Sequence, residues 1–227
     1  MNHYDKQILE ARRVEECRKH GAGYKGGTHM RRTKEMEDCL QDYRAERTAA
    51  KRAELEKNYT RMIPALGEKT ARLVRLQTAY QAAGRQERIR NLAFFRLGSS
   101  AYTQSHETAL AMSNRKLYLD KCMDCVYWKP DILYEGIAVD LEKAEDLLNK
   151  RFIRLEKYEM FYIRQRLLSD DWELLCTFLP RLVQGIADRI TDSPLLVEEE
   201  VEVLCGGYME KPQTVCRIDT GGEGNGK

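Results

Sequence analysis

Long apolar runs are missing from this 227-residue sequence. None approaches the roughly 18–20 apolar residues that a transmembrane helix requires, so we expect no membrane insertion. The N-terminal segment has no apolar core and carries Asp5 and Glu10. Secretory signals need such a core, and cleaved transit peptides avoid acidic residues. We therefore expect a cytoplasmic protein, with the cytoskeleton as a candidate location and mitochondrial import without a cleaved presequence as the alternative.

Proline and histidine are also scarce, with five and four residues respectively. Few prolines leave room for long uninterrupted helices, and the histidines have no metal-ligand spacing. The seven cysteines are odd in number and scattered, which is typical of free thiols in a reducing compartment. The sequence therefore predicts no metal, no cofactor and no small-molecule substrate.

One cysteine pair, Cys122 and Cys125, has the C-x-x-C spacing. A structural zinc needs four ligands, usually from two such pairs, and no second close pair exists. The alternative is a zinc site shared with Cys205 and Cys216. The redox form of the motif begins a helix after a strand, whereas we expect this pair late in a helix. We interpret both residues as thiols on one helix face.

Three other short strings match nucleotide-binding or protease patterns. They are Gly21 to Gly26 (G-x-G-x-x-G), Asp219-Thr220-Gly221 (the aspartic-protease triplet) and Gly221 to Lys227 (P-loop spacing). Each pattern needs a specific strand or helix context, or a second carboxylate, that the surrounding sequence does not predict. We therefore predict no catalytic residue and expect a protein that is not an enzyme.

Apolar residues repeat at helical spacing between Arg31 and Leu97. Their steps alternate between four and three residues, which is typical of a coiled-coil or helix-packing seam. The members of this stripe are Leu55, Tyr59, Met62, Leu66, Lys69, Leu73, Leu76, Tyr80 and Ala83, and Lys69 is the one position that breaks the apolar rule. Pro64 lies inside the stripe and predicts a kink or break near Ile63.

Further patterns follow toward the C-terminus. A second stripe of the same kind, from Ala109 to Val126, predicts another helix. Residues 139–190 predict two helices that turn at Ser169 to form a hairpin. Alternating apolar and acidic residues from Leu195 to Leu204 predict a strand that turns at Gly206 and Gly207 and pairs with residues 214–218.

These patterns together predict a mainly α protein of elongated helices with coiled-coil-like seams, a C-terminal helical hairpin and a small β-hairpin or strand near the C-terminus. We divide the chain into five regions: an N-terminal helix and glycine-rich linker (1–28), a long basic helical region kinked near Pro64 (29–97), a hinge and helix (98–130), the helical hairpin (131–192), and a strand or hairpin with a flexible tail (193–227).

Charge is distributed unevenly along the chain. Residues 1–96 carry 22 Lys and Arg against 13 Asp and Glu, whereas the remainder carries 16 against 23. A basic first half predicts attraction to an acidic surface, although a solvated helix face is the ordinary alternative for such a charge run. The predicted contact residues are Arg72, Arg75, Arg85, Arg88, Arg90, Leu73, Leu76 and Tyr80.

The function that these features predict is non-catalytic. We expect a structural or adaptor subunit of a large assembly that binds proteins with an acidic surface, such as a filament. The alternatives are an RNA-contacting subunit of a ribonucleoprotein, for example an organellar ribosome, and a helical accessory subunit of a mitochondrial complex. RNA-recognition signatures are missing, which favours a protein partner.

Overall fold

The computed structural model describes residues 26–220, with side chains from residue 31 onward. The expected N-terminal helix, most of the glycine-rich linker and the C-terminal tail lie outside the described residues. Residues 26–28, which we assigned to the linker, instead begin the first helix.

Seven α-helices and five strands form the described part of the chain. The helices are α1 (Gly26–Asn58), α2 (Ile63–Ala82), α3 (Ser100–Thr103), α4 (Asp131–Tyr134), α5 (Ile137–Asn149), α6 (Lys157–Gln184) and α7 (Asp188–Thr191). The strands are β1 (Ile89–Arg96), β2 (Thr108–Ser113), β3 (Asp124–Trp128), β4 (Val197–Gly207) and β5 (Gln213–Asp219). Short 3-10 turns occupy Tyr59–Met62 and Leu117–Leu119.

The five strands form one mixed sheet in the order β3-β2-β1-β4-β5. The central pair, β1 and β4, is parallel, and each of the other pairs is antiparallel. This sheet contradicts the predicted mainly α fold with coiled-coil-like seams. The predicted pairing near the C-terminus is confirmed, since β4 and β5 are antiparallel, but this hairpin is one edge of the larger sheet.

β1 accounts for the largest error in the sequence prediction. We expected residues 89–96 to end the long helix, yet they form the middle strand. Leu92 and Phe94 face the helices, while Ala93 and Phe95 belong to a smaller apolar cluster of their own. A strand buried on both faces is apolar throughout and shows no alternation. The same reason applies to β2, which is buried at every position although its residues fitted a helical stripe.

The break predicted near Ile63 is confirmed. α1 ends at Asn58, a 3-10 turn follows, and α2 begins at Ile63 with Pro64 in its first turn. Proline is tolerated there because the amide hydrogen that it lacks would have no helical partner.

The predicted helical hairpin has a different turn from the one expected. α5 ends at Asn149 and α6 begins at Lys157, whereas Ser169 lies in the middle of α6. Glu156 caps α6 in a reciprocal capping box with Glu159, which fixes the start of this helix.

The main core lies between the helices and one face of the sheet. The α2 residues of the predicted stripe do form a packing face, because Leu66 and Leu73 are fully buried. α2 packs against β3, β2 and α7 instead of a coiled-coil partner. On the opposite face of the sheet, Leu117 and Tyr118 cover the cluster that contains Phe95.

Cys176 in α6 and Cys205 in β4 form a disulfide. The prediction that all cysteines are free thiols is therefore wrong for this pair, while Cys39, Cys122, Cys125 and Cys216 are free. Within residues 26–220, no helix is both long and apolar enough to span a membrane.

Candidate functional site

The first half of the chain contacts an acidic surface that belongs to the same molecule. Arg44 of α1 forms a two-pronged ion pair with Asp170 of α6, at 2.8 and 2.5 Å. Arg32 of α1 pairs with Glu159 of α6 in the same way. Much of the charge asymmetry in the sequence is therefore neutralised by folding.

The most buried of these contacts join α1 to α5 and α6. Arg47 donates to Asp140 at 2.8 Å and to Asp171 at 2.7 Å. Lys51 donates to Asp171 at 3.0 Å and to the Leu133 carbonyl at 2.6 Å. Burial lowers the pKa of Lys51, against the opposing effect of Asp171. The side chains of Arg47 and Asp171 are 3% and 1% exposed, so this cluster is structural and out of reach of a partner.

The predicted contact residues on α2 divide between its two sides. Arg72 and Arg75 are exposed on the outer side. Leu73 is fully buried against the sheet, and Leu76 is half-buried. The outer side of α2 is therefore basic, while Leu73 packs on the inner side of the helix.

The next two predicted arginines lie in the turn after α2. Gly84 has a left-handed backbone with φ of +66°, which reverses the chain at a position that suits glycine. The Arg85 guanidinium then lies 4.9 Å above the centre of the Tyr80 ring, and Arg88 donates to the Val197 carbonyl at 2.9 Å. Tyr80 itself donates to Asp124 at 2.6 Å, and this hydrogen bond raises the pKa of Tyr80.

Arg90 differs from the other predicted arginines. It is half-buried at the start of β1, where it donates to Glu202 at 2.7 Å and to the Glu200 carbonyl at 3.2 Å. Its charge is therefore compensated within the fold.

A hydrogen-bonded network holds the turn between α2 and β1. Gln86 donates to Gln77 and to Asp120, each at 2.8 Å. Gln77 donates to the Cys122 carbonyl at 2.8 Å, and Asn114 donates to Gln86 at 3.0 Å. Satisfied polar networks of this kind fix one conformation, so the backbone that carries Arg85 and Arg88 is well defined.

We call Arg72, Arg75, Arg85 and Arg88 the arginine face. All four side chains are exposed, and none forms an ion pair with a carboxylate of the described residues. The nearest acidic residue in sequence, Glu87, is paired with Lys116 at 2.7 Å. These four guanidinium groups therefore have no direct carboxylate partner among the described residues, although the charge of Arg88 contributes to lowering the pKa of Glu198.

The structure does not assemble the alternative zinc site. Cys205 is bonded to Cys176, and β2 and β1 lie between the strand of Cys125 and those of Cys205 and Cys216. Cys125 lies in β3 and Cys122 in the turn before it, so the prediction that both are thiols on one helix face is wrong. Within the described part of the chain, no three His, Cys, Asp or Glu residues are grouped so as to hold a metal ion.

One concave feature was not predicted from the sequence. A cavity of about 300 Å³ lies between the end of β1, α3 and the middle of α6, and Arg96, His106, Tyr134 and Ser169 are among its lining residues. A signal was present in the glycine-serine turn at residues 98–100, which follows the apolar run of β1. This turn would have indicated a site only if residues 89–96 had been predicted to form a strand, because binding residues are often found in the loops that follow strands.

Comparisons of this chain with protein-family models, with curated proteins and with solved structures found no match. Function therefore has to be inferred from the side chains themselves.

Proposed function

We propose that the protein is a non-catalytic adaptor that binds an acidic partner surface through the arginine face. The observation that carries this proposal is the contrast between three paired arginines of α1 and the arginine face, although α1 also presents the exposed cations Arg52 and Lys57, which form no ion pair with the described residues. Arg32, Arg44 and Arg47 are neutralised by carboxylates of the same chain, whereas the arginine face has no such partner among the described residues. Uncompensated charge of one sign attracts surfaces of the other sign.

The scaffold under the arginine face favours recognition. α2 is fixed to the sheet by Leu66 and Leu73, and the following turn is fixed by the Gln77 and Gln86 network. A backbone that is already ordered loses less entropy on binding. Guanidinium groups also suit carboxylates, because their planar fork can donate two hydrogen bonds to one group.

An acidic protein fits this face better than single-stranded RNA does. Proteins that bind unpaired bases usually offer aromatic rings for stacking. Tyr80 is the aromatic residue beside these arginines, but Arg85 covers its ring and Asp124 holds its hydroxyl. Arg85 therefore already occupies one face of the Tyr80 ring.

The test uses the full chain and two probes, poly-L-glutamate and poly(U) RNA. We expect the wild-type protein to bind poly-L-glutamate with an affinity that falls as salt screens the charges over about 8–10 Å. Replacing all four arginines of the face by glutamine keeps helix propensity almost unchanged. At about 0.5 kcal/mol for each exposed contact, the loss should total about 2 kcal/mol, or about 30-fold in affinity.

A matched control removes four exposed cations elsewhere: Arg52, Lys57, Lys150 and Arg151. Each becomes glutamine, so the net charge changes equally. We expect this control to bind within about twofold of the wild type. Equal losses in both variants would mean that net charge alone drives binding, which contradicts a specific face. Tighter, arginine-dependent binding to poly(U) would instead support the ribonucleoprotein alternative.

A further inference from the structure

The cavity at the end of β1 holds an arginine without a carboxylate partner. Arg96 donates from Nη1 to the Ser169 hydroxyl at 3.2 Å, and it forms no ion pair with the described residues. The other lining arginine, Arg166, lies 2.9 Å from Glu37 as a charge pair. Glu107 is the acidic residue among those that line the cavity, and it does not pair with Arg96. Arg96 is therefore a cation of the lining without a direct carboxylate partner among the described residues, and Glu107 is a carboxylate of the same lining.

His106 and Tyr134 form one wall of this cavity. Their rings are stacked, with centres 5.1 Å apart and an interplanar angle of 21°. Nδ1 of His106 is buried without a hydrogen-bond partner among the described residues. Buried N–H groups without an acceptor are rare, so we assign the proton of the neutral ring to Nε2.

The charge state of His106 fits this assignment. Burial lowers the pKa of His106, and the nearby cations Lys129 and Arg164 lower it further, while Asp171 acts in the opposite direction. The ring is therefore neutral near pH 7 and offers one donor through Nε2. Together with Arg96 and the hydroxyl of Ser169, it makes the lining rich in hydrogen-bond donors.

The chain between α3 and β2 is held in a single shape. Ser100 donates to the Glu107 carbonyl at 3.0 Å, and Thr103 donates to the Ser99 carbonyl at 3.2 Å. Gln104 and His106 both have left-handed backbones, with φ of +58° and +54°. Residues other than glycine rarely adopt this backbone conformation unless surrounding contacts impose it. The wall that carries His106 is therefore formed before any ligand arrives.

We propose that this cavity binds a small organic anion whose carboxylate or phosphate group pairs with Arg96. A volume of about 300 Å³ is at the lower end of the range for small-molecule pockets. Leu97, Ala101 and Leu168 add apolar surface to the lining, which suits the carbon skeleton of such a ligand. Oxygen atoms of the anionic group accept from Arg96, Ser169 and His106.

This binding site is separate from the arginine face. Arg88 and Arg90 flank the first residue of β1, whereas Arg96 is its last residue. Eight residues of strand cover about 23 Å between the two ends, at roughly 3.3 Å per residue. Either proposal can therefore fail without the other.

The experiment is a titration of the full chain followed by nuclear magnetic resonance. Inorganic phosphate and succinate are added separately, and sodium chloride at matched ionic strength is the reference. The imidazole carbon-bound proton signals of His106 are assigned with His106→Gln. We expect a saturable shift of these signals with phosphate, succinate or both, and none with chloride. The arm that saturates at lower concentration identifies the preferred anionic group.

Arg96→Gln and the matched control Arg52→Gln complete the design, because Arg52 is exposed and does not line the cavity. We expect binding to weaken about tenfold or more in Arg96→Gln, as for the loss of one charged hydrogen-bond donor, and to be unchanged in Arg52→Gln. Wild-type signals that fail to saturate with either probe, or that respond equally to chloride, would overturn the proposal. So would a folded Arg96→Gln variant that binds like the wild type. If Arg96→Gln does not fold, the wild-type titration decides alone.

Discussion

At the scale of single residues, the most informative contact is the one between Arg47 and Asp171. These side chains are 124 positions apart in the sequence, and each is almost completely buried. Moving charges out of water costs several kcal/mol per ion unless they are paired. The pairing with Asp171 and Asp140 therefore explains how α1 can bury Arg47 against α5 and α6, and it accounts for part of the basic first half of the chain.

Removing one member of this cluster should be strongly destabilising. Asp171→Asn leaves Arg47 and Lys51 buried with one carboxylate fewer, so we expect the free energy of unfolding to fall by about 3–5 kcal/mol. Glu35→Gln is the control, because its partner Arg31 is 81% exposed at the side chain and such pairs contribute about 1 kcal/mol or less. Urea unfolding measures both. Equal small losses would show that the cluster is solvated in solution.

The free cations are as informative as the paired ones. Arg72, Arg75, Arg85, Arg88 and Arg96 form no ion pair with the carboxylates of residues 31–220. Uncompensated charge of this kind brings no pairing energy to the fold, so a role in binding is the physical reason that we propose for it. The two sites differ in their surroundings: α2 presents its arginines to solvent, whereas Arg96 lies in a cavity beside apolar side chains.

At the scale of elements, the burial of α2 shows whether its apolar stripe is a coiled-coil seam or a face that packs within the fold. A coiled-coil seam would use Leu73 and Leu76 almost equally, because both occupy its apolar positions. In the structure Leu73 is 0% exposed and packs against the sheet, while Leu76 is half-buried. The helical period was therefore read correctly, but its partner is a sheet.

This difference predicts unequal effects of two alanine substitutions. Leu73→Ala should cost about 2–5 kcal/mol of unfolding free energy, because it leaves a cavity in the core. Leu76→Ala should cost clearly less, since part of the side chain is already in water. Thermal or chemical unfolding of the monomer measures both changes. Equal costs that depend on protein concentration would indicate an intermolecular seam instead.

Strands were harder to predict than helices, and β1 and β4 show why. β4 alternates apolar and acidic residues because its two faces meet different environments, and its predicted extent was close to the observed Val197–Gly207. β1 contains Leu92, Ala93, Phe94 and Phe95 in sequence, all buried. Such a run is compatible with a buried helix or a buried strand, and periodicity alone does not separate them.

At the scale of the whole molecule, the disulfide joins the helix layer to the sheet. Cys176 lies in α6 and Cys205 in β4, at a sequence separation of 29. Closing a loop of that length restricts the unfolded chain by about 3–4 kcal/mol in the entropic model. Redox conditions therefore affect how firmly the two layers are held together.

The pairing of Cys176 with Cys205 can be tested by peptide mapping and by unfolding of a cysteine variant. Peptide mapping without reduction should find Cys176 and Cys205 in one cross-linked product. Cys176→Ser should lower the free energy of unfolding by up to about 4 kcal/mol under oxidising conditions. Cys39→Ser is the matched control, because Cys39 is a free, partly buried thiol, and we expect little change. Two unlinked peptides in the native protein would contradict the pairing.

The sequence by itself determined the features that depend on neighbouring residues. Pro64 specified the break before α2, the four-and-three spacing specified a packing face that includes Leu66 and Leu73, and the alternation in residues 195–204 specified a strand. The exposed arginines of α2 were also identified, because charge at successive helical positions needs no partner to be recognised. Each of these features depends on residues that are close together along the chain, where backbone geometry alone relates the side chains.

Only the tertiary structure decided what each segment contacts. It placed β1 at the centre of a sheet, set Arg47 against Asp171 and bonded Cys176 to Cys205. It also gathered Arg96 and His106 from separate segments into one cavity. These contacts join residues that are distant in the chain, and local periodicity reports only that a face is covered. The physical reason is that burial depends on how the helices and the sheet pack together. A strand that is covered on both faces, or a charge that is paired with a distant residue, therefore produces no periodic pattern in the local sequence.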